Sequence, residues 1–124
     1  MAHLTALEAE LGKVKQVLYF PSLPKEAARW FALTARGNCL EPELMDGDIA
    51  LIDPESDPKE GDYVLLKARD KAGREGLFIK RYRCTQQQTW FESNLERFDL
   101  EVLKILGVVR ARLRAGEALK AAGF

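Results

Sequence analysis

A chain of 124 residues with 47% hydrophobic side chains has the size of one domain and enough apolar material for a core. Its 19 basic and 19 acidic side chains cancel, which excludes a whole-molecule field that would gather nucleic acid or an anionic membrane. Two cysteines and one histidine are too few for a disulfide framework and lack zinc-ligand spacing, so neither a metal nor another cofactor is expected.

The first residues, MAHLTALEAE, lack the basic and apolar regions of a signal peptide, and no apolar run reaches the length of a membrane span. A cytoplasmic protein without a membrane partner is expected. In LTALEAELGKVKQVL, Leu4, Leu7, Leu11, Val14 and Leu18 recur in steps of three and four, which predicts an amphipathic helix over 5–19 in an N-terminal segment 1–20. Thr5 followed by Glu8 suits a capping box, and Pro21 suits a stop. Two heptads favour a helix lying on its own domain over a dimer seam. The two prolines of FPSLPKEAARW suggest a linker over 21–30.

From residue 31 the pattern turns to short β-rich runs. WFALTAR, DIALID, YVLLKAR, GLFIKRYRC, TWFESN and KILGVVRARLR are predicted strands, separated by turns at Asp46-Gly47, PESDPKEGD and RDKAGREG. The expected fold is mainly β and antiparallel, with a body over 31–114 and a short helical tail over 115–124.

Three groups of side chains are candidates for chemistry. Asp53, Glu55 and Asp57 imitate the start of a calcium loop, but Pro58 replaces the glycine and Val64 the bidentate glutamate, so a solvated turn is the better reading. Arg110, Arg112 and Arg114 alternate with Val109, Ala111 and Leu113, which predicts an exposed guanidinium face on a strand rather than a phosphate stripe. In GLFIKRYRC the alternation puts Phe78, Lys80 and Tyr82 on one side and Leu77, Ile79 and Arg81 on the other.

The combination says more than any part of it. GNCLEPELMDGDIALID, EGDYV, FIKR and ILGVV, in that order, resemble the C-terminal peptidase domain of LexA, UmuD and phage repressors, over roughly residues 31–110. The resemblance implies a compact, strongly bent antiparallel β-fold and association through this domain. It places the nucleophile at Cys39, where the family has serine, and the catalytic lysine at Lys80. Leu40 stands for the family's usual methionine, and Leu95 for the proline that often follows the asparagine.

A serine hydroxyl needs a neutral lysine to take its proton, whereas about 3% of a free thiol is already thiolate at pH 7, and a nearby ammonium raises that fraction. A Cys39–Lys80 pair is therefore chemically sound, with backbone N–H groups near Asn38 to Leu40 for the oxyanion. Family members cut themselves at Ala-Gly or Cys-Gly, but Gly12 and Gly37 follow Leu11 and Arg36. The roughly thirty residues before the fold do not hold a helix-turn-helix unit, so no direct DNA binding is expected. The leading expectation is a regulatory dimerisation module in transcription control with a diverged Cys39–Lys80 site, partnered by its own copy or a repressor-type chain. The alternative is an active Cys-Lys dyad peptidase cutting a peptide in another chain.

Overall fold

Backbone pairing organises the chain around its longest strand. The computed structural model describes residues 4–11, 14–21, 25–37, 40, 43–94, 96–117 and 120–121. Among them run β1 (Leu4–Leu11), β2 (Val14–Pro21), a 3-10 turn (Lys25–Arg29), β3 (Phe31–Thr34), β4 (Ile49–Asp53) and β5 (Tyr63–Arg69). Then follow β6 (Glu75–Cys84), β7 (Thr89–Ser93), β8 (Glu96–Arg97), β9 (Glu101–Leu113) and β10 (Lys120–Ala121). One sheet has the order β2-β1-β3-β4-β9-β5-β6-β7-β8, with β10 also on β9. The β1–β3 pair is parallel, and the others are antiparallel.

The expected mainly β, antiparallel body is present, and its six predicted strands fall on β3, β4, β5, β6, β7 and β9. Strands β4 and β5 lie inside the sheet with both faces covered, which is why IALID and YVLLKAR read as nearly continuous apolar runs. Ala50, Ile52, Tyr63 and Leu65 join Leu40 and Leu44 in one cluster, while Val64, Leu66 and Val108 form another with Tyr82, Phe91 and Phe98 packed against it. Register shifts at Leu51/Ile52, Leu65/Leu66 and Lys67/Ala68 bend the sheet around β9.

Two helical expectations are corrected. Of residues 5–19, expected as a helix, the described ones instead lie in the antiparallel strands β1 and β2, with Leu4 opposite Pro21 and Leu11 opposite Val14, and Gly12 and Lys13 lie outside the described residues. A two-heptad helix is marginal in isolation, whereas β1 finds hydrogen-bonding partners on both sides, β2 and β3. Of the tail over 115–124, the described residues 115–117 and 120–121 do not form the expected short helix either. Glu117 N donates to Arg114 O at 3.0 Å in a turn, and Lys120 and Ala121 then pair with Arg112 and Ala111, an edge of β9 beyond its pairing with β5.

The segment 21–30 contributes the 3-10 turn, whose Ala27 is buried together with Trp30 against Ala32, Leu51 and Ala111. No helix among the described residues is long and apolar enough to cross a membrane.

Candidate active site

Lys80 is held on the sixth strand by contacts from two neighbours. It is 8% exposed, its Nζ donates to Ser93 Oγ at 2.6 Å, and Nζ lies 5.2 Å from the Phe98 ring centroid. Strand pairing explains the first contact. Arg81 is opposite Glu92, so one further step brings Ser93 beside Lys80 at the end of β7. The β7–β8 hairpin places the ring: Asn94 takes a positive φ of 41°, Ser93 pairs with Glu96, and Phe98 N donates to Phe91 O at 2.7 Å. Phe78 closes the other flank by packing on Phe98 at 5.2 Å. The alternation read in the sequence is thus seen in space, with Phe78, Lys80 and Tyr82 toward Phe91 and Phe98 and with Ile79 in the opposite cluster.

Among the described residues no carboxylate lies within ion-pair distance of Lys80. A neutral hydroxyl and a ring face are the partners that hold this amine in a nearly dry place. Cation–ring attraction of this kind contributes about 0.5–2 kcal/mol, more as water is excluded.

A groove of about 490 Å³ opens beside the lysine. Its lining comes from Leu33 to Gly37 with Leu40 and Leu44, from Leu77 to Lys80, and from Leu65. Cys39 and Asn38 lie outside the described residues. Gly37 and Leu40, which flank them in the chain, line the same groove as Lys80.

The described residues between Ala35 and Asp48 are tied together by hydrogen bonds, and each tie is a backbone demand. Ala35 N donates to Asp48 O at 2.7 Å and Gly47 N to Ala35 O at 2.9 Å, while Gly37 N reaches Asp46 Oδ1 at 2.8 Å. Gly47, at φ +90°, supplies the left-handed conformation that the Asp46-Gly47 turn requires. The loop's apolar side chains Leu40 and Leu44 enter the core, and Leu44 N donates to Leu40 O at 3.1 Å.

The opposite wall presents an open strand edge. Tyr82 exchanges backbone hydrogen bonds with Gly61 and Asp62, so regular alternation along β6 turns the N–H and C=O of Leu77 and Ile79 away from β5. Strand β7 pairs with β6, among the described residues, over Arg81 to Cys84. Among the described residues, the groove edge of β6 from Glu75 to Ile79 has no strand partner.

The profile of the Peptidase S24-like family matches residues 5–109, most of the chain. This chain belongs to that family. No curated protein matches it. The family membership agrees with the LexA, UmuD and phage-repressor resemblance read from the motifs.

Two sequence readings of charged groups change. Asp53, taken as part of a solvated turn, is buried and accepts from Arg29 Nε and Nη2 at 3.0 Å each and from Ser56 Oγ at 2.7 Å. Burial works to raise its pKa, but these bonds and the Glu55 amide outweigh it and hold the carboxyl well below the ordinary range. The arginine face is broken as well. Leu51 pairs with Ala111 and Ile52 with Val109, leaving Arg110 as the extra residue of a bulge. Arg110 is exposed, Arg112 is buried, and Arg114 bonds to Asp48 at 2.9 and 2.8 Å.

The sequence alone does not mark Ser93, Phe98 or Asp48, and it marks Arg114 only as part of an exposed arginine face. Their roles follow from strand register and a bulge, which leave no local signature. Among the described residues no cluster of three His, Cys, Asp or Glu side chains is arranged to hold a metal ion.

Proposed function

We propose that this peptidase S24-like domain receives an extended peptide along the open edge of β6 and that Cys39 and Lys80 act on it as a Cys-Lys pair. The observation that carries the reading is Lys80, buried at the groove with a hydroxyl and a ring as partners. A lysine placed so has lost most of its hydration, a cost that a packed apolar residue would avoid.

The incoming strand pairs with the backbone of Leu77 and Ile79 and lays alternate side chains against Leu33, Leu65 and Ile79. The Cys39 thiolate forms a C–S bond to the scissile carbonyl carbon, and the carbonyl electron pair moves to oxygen. When the tetrahedral intermediate collapses, the C–N bond breaks and the amine leaves with a proton from Lys80. Water then attacks the thioester, Lys80 takes its proton, and the thiolate is released with the acid. Cysteine suits this site better than serine would: an ammonium beside a thiolate stabilises the nucleophile, whereas beside a hydroxyl it leaves the proton in place.

A second reading is the regulatory dimerisation module in transcription control, which binds a strand from its own copy or a repressor-type chain without cutting it. The open edge beside Leu77, 53% exposed, favours it, because strand addition needs only backbone groups and an apolar shelf.

The pH-dependence of Cys39 alkylation by iodoacetamide, read by intact mass in a Cys84→Ser background, separates the two. Catalysis predicts an apparent pKa below that of a free thiol, reversed in Lys80→Ala. A profile indifferent to Lys80 would remove the peptidase reading and leave the binding module.

A further inference from the structure

One buried carboxylate ties the groove's loop wall to the far end of β9. Asp48 is 2% exposed, and its Oδ1 and Oδ2 accept from Arg114 Nε at 2.9 Å and Nη2 at 2.8 Å. Oδ2 also accepts from Met45 N at 2.8 Å, and Arg112 Nη1 stands 3.6 Å from it. Behind the arginines, Glu117 lies 3.4 Å from Arg114 Nη1 and 3.9 Å from Arg112 Nη1, and Lys120 lies 3.8 Å from Glu117. A bidentate guanidinium fixes the carboxylate in angle as well as distance.

Asp48 is also where the loop closes, since its carbonyl takes the Ala35 amide. The described loop residues Gly37 and Leu40, which line the same groove as Lys80, therefore belong to a loop whose closing residue Arg114 orients. Arg114 follows the end of β9, which β5 and β6 separate in the sheet from β7, the strand that carries Ser93.

We propose that Arg114 is a positioning residue for the groove: through Asp48 it sets the placement of the groove-lining residues Gly37 and Leu40 relative to Lys80, and with it the reactivity of Cys39. This rests on the Cys39–Lys80 reading above. A small displacement of an attacking group is enough to matter, since about 1 Å can cost on the order of a hundredfold in rate.

The test uses the full chain carrying Cys84→Ser and compares Arg114→Gln, Arg114→Lys, Lys80→Ala and a control, Arg69→Gln, which removes the exposed Arg69–Glu101 pair at 3.0 Å. Iodoacetamide alkylation of Cys39 is followed against pH well below each variant's Tm, with hydrogen exchange at the Ala35 and Gly47 amides. Arg114→Gln is expected to slow alkylation at pH 7 by about tenfold, to move the profile toward a free thiol and to speed exchange at both amides. Arg114→Lys, which keeps charge but loses the fork, falls between, and Arg69→Gln matches the parent. An Arg114→Gln profile superimposed on the parent, with only Tm lowered, overturns the proposal. Where Arg114→Gln does not fold, a parental profile in Arg114→Lys overturns it equally. Lys80→Ala decides the underlying reading separately: a parental profile there refutes the Cys39–Lys80 pair, whatever Arg114 does to the loop amides.

Discussion

Replacing Gly107 with alanine tests a close approach between β4 and β9. A Cβ at this position stands 2.6 Å from Ile52 Cγ2, 2.8 Å from the Asp53 carbonyl oxygen and 3.2 Å from its carbon. The isoleucine methyl has some freedom to turn, but the carbonyl moves only if the Asp53–Val108 pairing opens, and both Ile52 and Asp53 are buried. Overpacking of this kind costs about 1–3 kcal/mol, with the upper end apt where backbone is struck. Alanine returns about 0.5–1 kcal/mol by narrowing the unfolded ensemble. The net loss is about 2 kcal/mol, and at ~2.1 cal/mol/K per residue the unfolding entropy of such a chain makes that a fall in Tm of about 8 °C. Gly76→Ala is the matched control, because its Cβ meets the tip of the Phe78 ring at 3.2 Å, a group that rotates away, and a change within about 0.5 kcal/mol is expected. Thermal melts by circular dichroism, with urea midpoints at unchanged m-value, measure both. A Gly107→Ala chain that melts within about 2 °C of the parent would refute the close approach and the account of why ILGVV carries a glycine there.

Acid should destabilise the fold through two buried carboxylates. Asp48 and Asp53 both have folded-state pKa values below their unfolded ones, because hydrogen bonds from Arg114 and Met45 N, and from Arg29, Ser56 and Glu55 N, outweigh the opposing effect of burial. Their contribution is therefore complete above the unfolded pKa of about 3.9 and is lost as pH falls below it, so Tm should drop between about pH 5 and 2. In Asp53→Asn that drop should be shallower, and a slope equal to the parent's would exclude Asp53 as a source. Ser93→Ala removes the hydroxyl that accepts from Lys80 Nζ, and it should move the Cys39 alkylation profile in the direction of Lys80→Ala but by less. An unchanged profile would mean that Ser93 does not place the amine.

Much of the body was legible in the residues themselves. Alternation in GLFIKRYRC and the apolar run of YVLLKAR give strands because a pleated chain sends successive side chains to opposite faces, and the Asp46-Gly47 and Asp70 to Gly73 turns carry the residues their backbone angles need. The motif order resembled that of the peptidase S24-like family, which the family profile bears out, and the resemblance offered Cys39 and Lys80 as candidates. The N-terminal hairpin was not legible, because steps of three and four describe a helical stripe equally well until a neighbouring strand offers its backbone. The arginine face failed for a different reason. One bulged residue at Arg110 reverses which side chains turn inward, and nothing local announces it.

Sequence by itself determined that this chain is a β-rich domain carrying a cysteine and a lysine in a peptidase order. Tertiary structure alone decided what surrounds that lysine. The hydroxyl of Ser93, the ring of Phe98, the open edge of β6 and the Asp48–Arg114 pair come from segments 13 to 66 residues apart, joined by register rather than by neighbourhood in the chain. Hydrogen-bonded strand pairing sets such meetings, and pairing is a choice made among partners that a single segment does not contain.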